Sequence, residues 1–116
     1  MAALDAHVRA IQERNFERFA ETVTQGDNVR LVGPDGGQLI GREAVLAAHR
    51  DWFGAGAWTF HPRVVWLRET EDMGLALLDV DYVEGSGRRT FLLSLVFVRE
   101  ADGAFRLAFD QNTPKS

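Results

Sequence analysis

Phe91-Leu92-Leu93-Ser94-Leu95-Val96-Phe97-Val98 is apolar at every position except Ser94. Side chains alternate across a strand, so a run that is apolar at both parities has two faces to hide from water. Its brevity and its valine and phenylalanine content read as a strand, set within Arg88 to Arg99. Short turn-forming segments bound it: Gly85-Ser86-Gly87 before and Ala101-Asp102-Gly103 after. They tie it to strands predicted over Gly74 to Glu84 and Ala104 to Thr113. Glu69-Thr70-Glu71-Asp72 ties on a further strand, Trp58 to Arg68. Consecutive hairpins of this kind build an antiparallel meander.

Towards the amino terminus the apolar period changes from two to three or four. Leu4, Val8, Ile11, Phe19 and Val23 share one helical face, and Arg9, Glu13, Arg14, Glu17, Arg18 and Glu21 make the polar one. Asn15 either caps a second helix by accepting from the next turn's amides or sits exposed in one continuous helix. Val29 to Val32 reads as a short strand, and Gly33-Pro34-Asp35-Gly36-Gly37 as a turn, since it lacks the lysine and hydroxyl residue of a phosphate loop. A further helix opens at Gly41-Arg42-Glu43, places Val45, Leu46, His49, Trp52 and Phe53 on one face, and stops at Gly54 and Gly56. The fold class is therefore α+β, three amino-terminal helices packed on an antiparallel sheet. The helices can cover one face of the Phe91 to Val98 strand. The other face calls for a second copy, and a homodimer through it is expected.

The chain has 116 residues, 46% of them hydrophobic, and is read as one domain over 1–116. It has no cysteine, hence no disulfide and no thiol nucleophile. A net charge of -4 lacks the basic excess that nucleic acid binding favours. The longest apolar run is far below the ~20 residues of a membrane helix, and Asp5 and His7 stand where a secretory signal is apolar. A soluble cytoplasmic protein without nucleic acid or membrane partners is expected. Twelve of the thirteen basic residues are arginine and alanine occurs fourteen times, a usage that GC-rich bacterial genomes tend to encode. His7, His49 and His61 lack metal-ligand spacing, and neither Ser86 nor Ser94 sits in a nucleophile elbow. No metal and no cofactor are expected.

The helix start at Gly41-Arg42-Glu43-Ala44 combines with three other pieces. They are Asn15-Phe16-Glu17-Arg18-Phe19 ahead of a short strand, the turn around Gly36, and the closing Asp110-Gln111-Asn112-Thr113-Pro114. In this order and spacing, nearly the whole chain resembles the nuclear transport factor 2-like superfamily, and within it the SnoaL-like proteins of bacteria. The resemblance implies a cone-shaped α+β roll, with a curved sheet wrapped around three helices, a pocket between them, and commonly a dimer. It spans isomerases, dehydratases, epoxide-opening enzymes, cyclases and non-catalytic binding modules, so it leaves function open. The superfamily's ketosteroid isomerases place a catalytic Asp just before the proline of the turn after the first strand, where this chain has Gly33. They place a protonated Asp on the strand matching Phe91 to Val98, which here has no acid. His7 falls near their helix-one tyrosine, but a ketosteroid isomerase is not expected.

Candidate chemistry rests on His49, flanked on its helix face by Val45, Trp52 and Phe53. Histidine is the usual acid or base near neutral pH, and the aromatic neighbours suit a flat apolar ligand. The structural alternative is a ring nitrogen tied to a backbone carbonyl. Asp79 and Asp81 share a strand face with Leu75, Leu77 and Val83, and the hairpin register puts Asp79 opposite His61, Pro62 or Arg63. An Asp and His61 pair would be an acid/base dyad, an Asp79 to Arg63 pair an ion pair. Asp110 lies with Arg106, Ala108 and Asn112, opposite Phe105, Leu107, Phe109 and Gln111. Trp58, Trp66 and Tyr82 read as core or interface residues. The expected catalytic set is His49, Asp79, Asp81 and His61, and the expected pocket lining Trp52, Phe53 and Asp110. The expected function is cofactor-independent isomerisation, dehydration or cyclisation of a small, largely apolar ligand. The competing expectation is a non-catalytic dimerisation or ligand-sensing module whose cavity its own side chains fill.

Overall fold

The computed structural model describes residues 1–115. Asn15 decides the first half of the chain: its side chain accepts from the Arg18 amide at 3.1 Å, so α1 (Ala2–Gln12) ends and α2 (Phe16–Glu21) begins around it. Arg14, at φ 53°, makes the left-handed step between them, and its guanidinium rests 4.0 Å from the Trp58 ring centre. Leu4, His7, Ala10 and Ile11 form the buried face of α1, at helical spacing.

β1 (Arg30–Val32) and β2 (Gln38–Ile40) form a hairpin around the Gly33–Gly37 turn. The sequence reading has no β2; three residues beside glycines carry too little alternation to show. α3 (Arg42–Phe53) follows, opening on Gly41 at φ 94°. The Arg42 guanidinium donates to the carbonyls of Ala20, Val23 and Thr24, tying the start of α3 to the end of α2. β3 (Trp58–Glu69), β4 (Met73–Glu84), β5 (Gly87–Arg99) and β6 (Phe105–Pro114) complete a curved, open sheet of order β2-β1-β6-β5-β4-β3. The meander is antiparallel, but β1 joins β6 in parallel, a long-range pairing that local patterns do not specify.

The two faces of β5 divide as their parity requires. Leu93, Leu95 and Phe97 point inward and are buried with Leu78 and Val80 of β4 against Leu4, Ile11, Phe19 and Val45 of the helices. Leu92, Ser94, Val96 and Val98 lie half-buried on the outer face beside Leu75 and Leu77. Truncating Phe97 to alanine would cost about 3–5 kcal/mol, the usual range for a filled aromatic site.

β6 departs from strict alternation. Val96 pairs with Phe109 and Phe97 with Leu107, so Ala108 is an extra residue. This bulge turns Leu107 and Asp110 to the same inner face, although their spacing of three puts them on opposite faces of a regular strand. The sequence expectation that separated them is corrected accordingly. No helix among the described residues is long and apolar enough to cross a membrane.

His7 is 1% exposed and sits between Phe19 and Phe97. The Thr22 hydroxyl spends its one proton on the Phe19 carbonyl, so His7 Nδ1 is the donor to Thr22 Oγ1 at 2.7 Å. Its Nε2 is left as a buried acceptor without a partner among the described residues. Burial first, and then nearby His49, lower its pKa to about 3. The unfolded chain takes up this proton near pH 6.5 and the folded chain resists it, so stability is full above that pH and erodes as pH falls towards 3. In urea titrations at pH 7.5 and 5, His7→Leu should therefore lose less stability on acidification than the native chain. An equal loss in both proteins would remove His7 from the acid response.

Candidate active site

The helices leave one end of the inner sheet face open, and a cavity of about 850 Å³ lies there. Its floor is apolar: Ile11, Leu31, Phe60, Phe91 and Leu93. Trp52 and Tyr82 form one wall, joined by an indole N–H donated to the Tyr82 hydroxyl at 3.0 Å. Trp58 stacks behind Trp52 at 4.2 Å and donates to the Trp52 carbonyl, which fixes the indole. Tyr82 has no acceptor for its own hydroxyl proton among the described residues.

Asp110 and Asn112 form the opposite wall. Asp110 is 5% exposed, and its hydrogen-bonding partner is the Asn112 amide, 3.1 Å from Oδ1. That amide donates its second proton to the Val32 carbonyl at 3.2 Å, so the β1–β6 pairing orients the carboxyl. No cation pairs with Asp110 among the described residues. Burial raises its pKa to about 7, opposed by the Asn112 hydrogen bond. Since Oδ1 accepts from Asn112, Oδ2 is the atom left to carry or receive a proton.

His49 also lines the cavity. Its Nδ1 donates to the Val45 carbonyl at 2.7 Å, leaving Nε2 as the acceptor, and its ring stacks on Phe19 at 4.2 Å. Burial lowers its pKa, against the opposing effect of the Val45 bond. A neutral imidazole results, so His49 is an acceptor and weak base here while Asp110 holds the more adaptable proton. Among the described residues no group of three acidic, histidine or cysteine side chains is placed to hold a metal ion.

Residues 1–111 match the family model described as a SnoaL-like domain. The chain belongs to the SnoaL-like family. No curated protein matches it at a significant level. Among solved structures, this SnoaL-like chain is similar to a candidate calcium/calmodulin-dependent protein kinase type II association domain from Thiobacillus denitrificans. That likeness has 27% identity and a TM-score of 0.87 over 99% of this chain and 94% of that one. It is also similar to a candidate dehydratase of the nuclear transport factor 2-like family from Streptomyces avermitilis, at 17% identity and a TM-score of 0.79, covering 99% and 93% of the two chains. An LEH-like epoxide hydrolase of M. tuberculosis matches at 15% identity and a TM-score of 0.75, over 98% of this chain and 80% of that one. At these last two identities the likeness is one of fold.

The expected site residues divide between the two sheet faces. His49, Trp52 and Asp110 meet at the cavity. Phe53 lies outside its lining and packs edge-on against Phe19 instead. Asp79, Asp81 and His61 face the outer side of the sheet, because Leu78, Val80 and Tyr82 take the inner parity of β4. There Asp79 meets Arg63 at 3.3 Å and Lys115 at 3.0 Å, and Asp81 is held in a fork by Arg88. His61 is exposed opposite Asp81 in the register. Tyr82, read as a core or interface residue, is a cavity wall; its parity with Leu78 and Val80 was the signal that could have placed it.

Asp110 gives a signed prediction. Its folded pKa stands above the unfolded value, so its contribution to stability is full below about pH 4 and is lost as pH rises through about 7. Asp110→Asn should match the native chain near pH 4 and exceed its unfolding free energy at pH 8, by on the order of a few kcal/mol. Thermal unfolding across that range checks this, and a variant less stable than the native chain at pH 8 would refute it.

Proposed function

We propose that this SnoaL-like protein is a cofactor-independent acid/base enzyme acting on a small, largely apolar molecule held in the cavity. The observation that carries this reading is Asp110: a buried carboxyl with one amide partner and, among the described residues, no cation, set in the wall of an open apolar cavity. Burying an acid this way costs stability, and such a cost is characteristic of sites that use the acid. A pKa of about 7 supplies both protonation states near neutral pH, as general acid/base catalysis requires.

In the ionised form, Asp110 Oδ2 takes a proton from a carbon next to a ligand carbonyl, and the electron pair moves onto the carbonyl oxygen. Neutral Asp110 then returns the proton to a different carbon, which is isomerisation, or to a departing hydroxyl, which leaves as water and is dehydration. His49 Nε2 accepts from a ligand hydroxyl and orients it. The competing reading, ligand binding without catalysis, draws support from the Val45 and Phe19 contacts that give His49 a structural part.

A bicyclic ketone tests the catalytic reading. Loss of the proton signal next to the carbonyl of 2-tetralone in heavy water should be faster with the protein than in buffer. Asp110→Asn should slow it by about 10²–10⁴-fold, the usual value of a general base. No acceleration over buffer, or an Asp110→Asn rate equal to the native one, would leave binding alone as the function.

The outer face of the sheet supports a second proposal, a homodimer packed through it. Leu75, Leu77, Leu92, Val96 and Val98 are half-buried there, and Trp66 is 49% exposed. The native chain should sediment as a dimer and the Leu77→Glu, Val96→Glu variant as a folded monomer. A monomeric native chain, or a doubly substituted dimer, would set this interface aside.

A further inference from the structure

We propose that Arg89 anchors a carboxylate on the ligand, so that the substrate class is an amphipathic acid: an apolar two- or three-ring body with an anionic group at one end. This rests on the reading of the cavity as a ligand site and adds the orientation in which the ligand enters.

The rim of the cavity carries three cations, Arg88, Arg89 and Lys115, with one acid, Glu84. Two of the cations are already neutralised. Arg88 donates through Nε and Nη2 to Asp81, and Lys115 reaches both oxygens of Asp79. Both of those carboxylates belong to the outer face. Arg89 pairs with Tyr82 in the β4–β5 register and so shares its inner parity. Among the described residues no carboxylate lies within ion-pairing distance of it, Glu84 included. Its guanidinium lies 5.5 Å from the Tyr82 ring centre, a contact that holds it over an aromatic wall of the cavity. A guanidinium held there offers two parallel N–H groups, the geometry a carboxylate takes up best.

The inner face of β5 then gives the length of the ligand. From Arg89 inward come Phe91, Leu93 and Leu95, opposite Pro114, Asn112 and Asp110 of β6. Six residues of strand separate Arg89 from the level of Asp110, about 20 Å of backbone. The arginine and aspartate side chains shorten that span from its two ends. What remains is apolar, floored by Phe91 and Leu93 and flanked by Phe60 and Trp52, and it suits a flat body rather than a short-chain acid. One end of the molecule is thus held by charge at the rim. The other is delivered to Asp110 and His49, where the surroundings are too apolar to receive a second anion. The polarity also sets direction, because a carboxylate placed at the deep end would face the Asp110 carboxyl and lose its hydration there.

A matched pair of probes separates this anchor from the cavity reading beneath it: 6-carboxy-2-tetralone and its methyl ester, titrated at low salt against the fluorescence of the native protein. The acid should bind at least about tenfold more tightly than the ester, the effect of one charge-assisted contact. Arg89→Gln should abolish that preference and keep the ester affinity within about twofold, which also reports an intact cavity. Arg89→Lys should retain part of the preference, and Arg88→Gln, whose partner is Asp81, should keep all of it. Equal binding of acid and ester by the native protein overturns the anchor. So does a preference that survives Arg89→Gln or falls equally with Arg88→Gln. If the anchor fails while the ester still binds and exchanges its protons in an Asp110-dependent way, the cavity reading stands alone. If neither probe binds, both readings fall.

Discussion

The inner row of β5 has to be shielded from water, and the helices that shield it are shorter than the strand. A helix rises about 1.5 Å per residue and a strand about 3.3 Å, so the twelve residues of α3 span only ~18 Å against the ~43 Å of the thirteen-residue β5. Phe97 packs against His7 of α1, and both Phe97 and Leu95 are buried. Beyond Leu93 the strand runs on with its inner face uncovered. That mismatch of lengths makes the cavity, and an aromatic tier of Trp52, Trp58, Phe60 and Tyr82 keeps the helices and sheet from collapsing into it. The outer row has no helices over it, and Leu75, Leu77, Leu92, Val96 and Val98 stay half-buried there.

The electrostatics follow from the same geometry. Groups at the closed end of the cone lose water without gaining a countercharge, so both His7 and His49 are held neutral and Asp110 is held near its protonated form. Groups on the outer face find partners: Asp79 with Arg63 and Lys115, Asp81 with Arg88. One protein thus places carboxylates two strands apart in opposite states, one set neutralised by cations in water and the other poised in an apolar pocket. Burying the Asp110 carboxyl without a cation among the described residues costs stability.

Much of the architecture was legible because turns and periodicity are local. The hairpin segments at 69–72, 85–87 and 101–103 set β3 to β6 to within a residue at each end, and Asn15 marked the break between α1 and α2. β2 and the parallel β1–β6 pairing were not legible, the one for its brevity and the other because partners such as Arg30 and Phe109 are far apart in the chain. His7 has the spacing of Leu4 and Ala10, but its polarity hides its place on the buried face of α1. Of the residues singled out, His49, Trp52 and Asp110 line the cavity and Asp79, Asp81 and His61 do not, while Tyr82 and Arg89, which line it too, were not read as cavity residues.

The sequence by itself determined the elements, their order and the two-faced burial of β5, since these depend on residues near one another in the chain. It also determined which residue types were on hand for chemistry: carboxylates, histidines and aromatic walls, with no thiol. Only the tertiary structure decided which of them meet. The extra residue at Ala108 reverses the parity of β6 and turns Asp110 inward, while unbroken alternation in β4 turns Asp79 and Asp81 outward. A single-residue shift moves every following side chain to the other face of a sheet, and that shift is set by pairing across strands rather than by the strand's own residues.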